Sequence, residues 1–207
     1  MTPDDITRLF TRSDESYLFA RWNRPIAPVA FGVEEETISI LKGAIEAVCQ
    51  LAGHEMAETD PELGSNLMVF FMRDWQELID TPNLDKMIPD LVPLVGRLRE
   101  ADANQYRIFR FDPNGGIKAC FVFLRMDEMM AEIPGDTLCL GQVVQSILLW
   151  SDEAFLGSSP LALTGNDVAI LKPEIAQVIR ASYDPVMPVA ADDPSHALRL
   201  AARINLG

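Results

Sequence analysis

The chain has 207 residues, enough for one domain with a sizeable core, and its 48% apolar and 23% charged content is ordinary for a globular protein. With 31 acidic against 17 basic residues its formal charge is −14, which disfavours nucleic acid and anionic membrane surfaces as partners and leaves room for a basic protein partner. No apolar run approaches the roughly 18 residues of a membrane span, and Met1-Thr2-Pro3-Asp4-Asp5 lacks the basic start and apolar stretch of an export signal, so a cytoplasmic location is expected.

Thr2 can cap a first helix, with Pro3 at its first position and Asp4 and Asp5 at its positive end. This helix opens an N-terminal extension over residues 1–20. Residues 25–33 read as a strand whose prolines place its start at an edge or an irregularity. Glu34-Glu35-Glu36-Thr37 open a long helix carrying Ile38, Leu41, Ile45, Val48 and Leu51, with Gly53 as its terminator. A turn over 60–64 leads into Asn66–Met72, a continuous apolar run that predicts a fully buried strand. Thr81-Pro82 open a further helical stretch, and Leu91, Leu94, Val95 and Leu98 mark a short amphipathic helix.

Two β-rich runs, 106–111 and 117–124, flank Asn114-Gly115 and predict a hairpin. Ile108 and Phe111 differ in strand parity, which predicts a bulge near the turn. Thr137 to Trp150 is apolar nearly all round and reads as a central buried helix. Residues 158–165 read as a loop, and Val168 to Ser182 as a helix with Pro173 near its start. Asp193-Pro194-Ser195 begin a C-terminal helix within residues 190–207, with His196 solvated in its first turn. The expected architecture is one α+β domain over 1–207: a small mixed sheet, a long helix early in the chain, a central buried helix and C-terminal helices.

Cys49, Cys120 and Cys139 lie far apart in apolar surroundings with no CxxC pair, so buried free thiols are expected rather than disulfides or a thiolate zinc site. His54-Glu55-Met56-Ala57-Glu58 superficially resembles a metallopeptidase signature. It follows a helix end, however, and on a strand His54 and Glu58 would stand about 13 Å apart, too far to share an ion. No GxSxG elbow or phosphate loop is present. Gln142 and Gln145, three residues apart, share one helix face, and buried amides require partners.

Ordered along the chain, Arg21-Trp22, Pro25-Ile26, Phe31-Gly32, Asn66 with the strand after it, Gln145, Ser151-Asp152 and Tyr183-Asp184-Pro185 resemble an uncharacterised bacterial, alphaproteobacterial family. That family is related to zincin-like metallopeptidases. The likeness covers residues 18–190 and implies a zincin-like sheet with a central helix beneath it. On that helix the relatives carry an acidic residue or histidine, then glutamate, then two residues, then glutamine. Here those places hold Gly141, Gln142 and Gln145. Glycine offers no ligand and glutamine no proton acceptor, so the resemblance implies a catalytically inactive relative. Neither metal nor cofactor is assigned.

Three functions follow as expectations. The first is a non-catalytic cytosolic binding or interaction protein, with Trp22, Trp75, Trp150 and nine methionines available for contacts. The second is a peptidase-like hydrolase with an atypical site using carboxylates such as Asp152 or Asp184. The third is a small-ligand sensor in the degenerate cleft. The candidate cleft residues are Gln142, Gln145, Asp152, Tyr183 and Asp184.

Overall fold

The computed structural model describes residues 1–205; the expected end of the C-terminal helix, 206–207, lies outside the described residues. Helix α1 (Pro3–Phe10) starts in a reciprocal cap. The Thr2 hydroxyl accepts from the Asp5 amide at 3.2 Å, and the Asp5 carboxylate accepts from the Thr2 amide at 2.8 Å. Strand β1 (Phe19–Ala20) follows, then β2 (Pro28–Phe31) and the 18-residue helix α2 (Glu35–Ala52). Gly53 ends α2 at φ 65°, where its amide reaches back to the Cys49 and Gln50 carbonyls.

Strand β3 (Leu67–Met72) pairs in parallel with β2 on one side and with β5 (Ile117–Arg125) on the other. Both its faces are covered, which explains its unbroken apolar sequence. Between β3 and β5 come α3 (Gln76–Asp80), α4 (Leu84–Met87), α5 (Leu91–Glu100) and β4 (Gln105–Phe111). The expected helix beginning at Thr81-Pro82 is replaced by the break between α3 and α4. Thr81 is extended, the conformation that a following proline imposes. Strand β4 pairs antiparallel with β5 and carries the expected bulge between Arg110 and Phe111. The Asp112 carboxylate accepts from the amides of Asn114 and Gly116 and so fixes the turn. The sheet order is β2-β3-β5-β4, a mixed sheet with β4 as its antiparallel edge.

After the short α6 (Glu128–Ala131), the buried helix α7 runs from Gly135 to Ser146, four residues shorter at its end than expected. Beyond it the chain extends alongside β1, where the Leu149 amide donates to the Ala20 carbonyl at 2.9 Å and Leu148 bridges to Arg21. The late carbonyls of α7 are satisfied by side chains. Trp150 Nε1 donates to the Val144 carbonyl at 2.8 Å, Trp22 Nε1 to Ser146 at 2.9 Å, and the Tyr183 hydroxyl to Ile147 at 2.8 Å.

The expected loop over 158–165 and helix from Val168 are corrected to a hairpin, β6 (Leu161–Leu163) with β7 (Ala169–Leu171). Helix α8 (Pro173–Ser182) begins only at Pro173, because proline fits the first helical position and not the interior. Strand β8 (Ala190–Ala191) pairs with β1, and α9 (Ser195–Ile204) closes the fold. His196 on α9 is buried rather than solvated: its Nδ1 shares a 2.8 Å hydrogen bond with the Tyr17 hydroxyl, and the tilted Phe19 ring packs with its centroid 4.1 Å away.

The sheet carries helices on both faces. Leu67, Val69 and Phe71 of β3 and Cys120, Val122 and Leu124 of β5 pack with α2 and α7, and this cluster reaches Ile6 and Phe10 of α1. The alternate residues Met68, Phe121 and Phe123 pack with α3–α5. The three cysteines are buried and free. Among the described residues, no helix is long and apolar enough to cross a membrane.

Candidate ligand-binding site

Strand alternation decides which side chains of edge strand β4 look toward α7. Phe109 joins the α7-side cluster and Ile108 the opposite one, so Gln105, Arg107 and Phe109 share the α7 face. Helix α7 presents Gln142 and Gln145 from below, one turn apart. Between strand and helix lies an open cavity of about 390 Å³, within the range of small-molecule sites. Its polar wall includes Arg12, Gln105, Arg107, Gln145 and Asp152, and its apolar wall Leu149, Trp150, Phe155 and Leu156.

Gln142 lies just behind this wall and is buried. Its amide oxygen accepts from Arg107 Nη2, and its amide nitrogen donates to the Gln105 amide oxygen at 3.3 Å. Gln145 lines the cavity, and its side chain makes no hydrogen bond to another of the described residues. A Cβ placed on Gly141 would meet Leu161 of β6 at 3.7 Å, an ordinary contact, so space does not demand the glycine.

Arg107 is the unusual group. Its hydrogen-bond partners are the neutral amide oxygens of Gln105 and Gln142, while its buried Nε has no partner. Burial pushes its pKa down to about 10, and no carboxylate offsets that effect. The side chain therefore remains a cation at neutral pH, desolvated and without a counter-charge. Asp152 is already engaged: its carboxylate accepts from the Ser13 hydroxyl at 2.6 Å and amide at 3.0 Å, and these bonds hold its pKa below the usual carboxylate range. Trp150 is held rigidly, stacked on Phe10 at 5.4 Å with Phe155 edge-on at 5.2 Å.

The structure thus brings Gln145 and Asp152 to one cavity, with Gln142 behind it. Tyr183 and Asp184 do not line it. Tyr183 is buried under α7, where its hydroxyl also accepts from the Trp22 amide at 3.3 Å; its ring lies between His54 and Arg21, and burial raises its pKa. Asp184 accepts from Arg203 at 3.3 Å and from the Val186 amide at 3.0 Å. His54 Nε2 is hydrogen-bonded to the Arg24 carbonyl at 2.9 Å, and burial lowers its pKa. Trp22, Trp75 and Trp150 are all buried and so offer no exposed anchor to a protein partner.

Sequence reasoning missed Arg107, Gln105 and Arg12. The available signal was parity: Gln105 and Arg107 share a strand face with Phe109, so two polar residues point inward. Among the described residues, no group of three or more His, Cys, Asp or Glu side chains is placed to hold a metal ion. No protein-family model matches this chain, and comparison with curated proteins and with solved structures yields no significant match.

Proposed function

We propose that the chain is a non-catalytic binding protein of zincin-like descent that holds a small ligand in the cleft between β4 and α7. The carrying observation is the cavity itself. Of the three helix positions that the family resemblance singles out, Gln145 faces the cavity without a protein partner and Gln142 lies just behind its wall. The zincin-like reading is supported by the mixed sheet with an antiparallel edge strand over the cleft and a buried helix beneath. A bacterial origin accords with the same resemblance, and a cytoplasmic location with three free buried thiols.

The hydrolase alternative is disfavoured by proton chemistry. Among the described residues Asp152 is the one carboxylate lining the cavity, and the Ser13 bonds that lower its pKa make it a weak base near neutral pH. A scaffold role through exposed tryptophan is disfavoured by the burial of all three.

The test is a thermal-shift screen of a metabolite library on the wild-type chain and on Gln145→Leu. A cleft ligand at about 100 times its Kd stabilises by about 2.7 kcal/mol, a shift of several degrees. Compounds that raise the wild-type Tm and lose that effect in Gln145→Leu support the proposal. A library with no such compound, together with Asp152-dependent peptide hydrolysis, would replace binding with catalysis.

A further inference from the structure

We infer that the ligand of this cleft is a small organic carboxylate with an apolar body; the inference rests on the cleft being a binding site. The chain has carboxylates in excess, and Arg8, Arg24, Arg99, Arg125 and Arg203 each hold one or two. Arg107, which is more deeply desolvated, holds none. Its two amide partners fix the guanidinium but leave its charge uncompensated, and its Nε lacks an acceptor. Nη2 holds both amides and Nε is sealed from solvent, which leaves Nη1 without a protein partner among the described residues; a carboxylate oxygen there supplies both an acceptor and the missing charge.

The remaining walls narrow the class. Among the described residues the lining holds two arginines, Arg12 and Arg107, and one carboxylate, Asp152, so it carries one net positive charge and suits a monoanion. Gln145 and Gln105 can donate amide hydrogens to the second carboxylate oxygen. Leu149, Trp150, Phe155 and Leu156 provide an apolar wall for the rest of the molecule.

The probe is phenylacetate, with phenylacetamide as its neutral counterpart and inorganic phosphate as the dianion. Each is titrated into the full chain by calorimetry, and the arginine Nε–H and glutamine side-chain NMR signals are followed. Phenylacetate is expected to move the Arg107 Nε–H and Gln145 amide signals and to bind about tenfold more tightly than either control. Arg107→Gln loses about 30-fold in affinity, and Arg107→Lys, which keeps the charge without the fork, loses about tenfold. Unfolding curves of both variants establish that they remain folded. Equal binding of acid and amide overturns the anion assignment and leaves the cleft reading standing. Tighter binding of phosphate overturns the choice of carboxylate. If none of the probes moves a cleft signal at about 20 mM, the inference fails, and the cleft reading is then judged by the library screen alone.

Discussion

Acidifying the protein from neutral pH toward pH 4 should expose the cost of charging His196. Its imidazole is buried, its Nε2 has no partner, and burial pushes its pKa down from 6.5 to about 4, with Arg199 adding a smaller repulsion. The unfolded chain therefore binds this proton more readily than the folded one, so stability is complete above pH 6.5 and falls as the pH drops toward 4. The gap between the two values, at about 1.36 kcal/mol per unit, corresponds to roughly 3 kcal/mol lost across that window. The assay is urea unfolding by circular dichroism at about pH 7.5 and about pH 4.5, on the wild type and on His196→Gln. Glutamine keeps a neutral partner for Tyr17 but does not titrate. His54 and the carboxylates contribute equally to both proteins, so the difference in pH dependence isolates His196. Equal acid sensitivity in the two proteins would refute the burial argument.

The double substitution Arg107→Met with Gln142→Leu replaces an uncompensated, partly buried cation and its amide partner with apolar groups. It should stabilise the ligand-free protein by about 1–3 kcal/mol in urea unfolding while abolishing phenylacetate binding; destabilisation would mean that Arg107 serves packing alone. Asn66 is buried and joins three segments: its oxygen accepts from the Ala27 amide at 2.8 Å, and its nitrogen donates to Pro25 at 2.8 Å and to Asp60 at 3.0 Å. Asn66→Ala should therefore cost about 3 kcal/mol by equilibrium unfolding. Gly32→Ala should cost at least as much: φ is +79°, and the new Cβ would lie 2.0 Å from the Phe71 carbonyl oxygen, so the edge strand must move. Near wild-type stability for either variant would contradict these contacts.

Elements with strong local signals were legible in the sequence. The Thr2 cap, the α2 stripe ending at Gly53, the two-sided strand at 67–72 and the Asn-Gly hairpin with its bulge each follow from a few adjacent residues. The β6–β7 hairpin was not legible, because three-residue strands carry almost no periodicity and Pro173 lies just beyond them. The burial of His196 could not be read from its position on α9, since Phe19 and Tyr17 cover it from nearly 180 residues away. The site was half legible. Gln142, Gln145 and Asp152 came from the helix and the motif after it, whereas Arg107 required knowing that β4 is the strand lying over α7.

The central claim is that this cleft is organised around the Arg107 cation to receive an organic anion. Its most direct test is a crystal structure of the chain grown with phenylacetate. The predicted result is a carboxylate within hydrogen-bond distance of Arg107 Nη1 and a phenyl ring against Trp150 and Phe155. An empty cleft with the acid bound elsewhere, or a metal ion held beside Gln145, would contradict it.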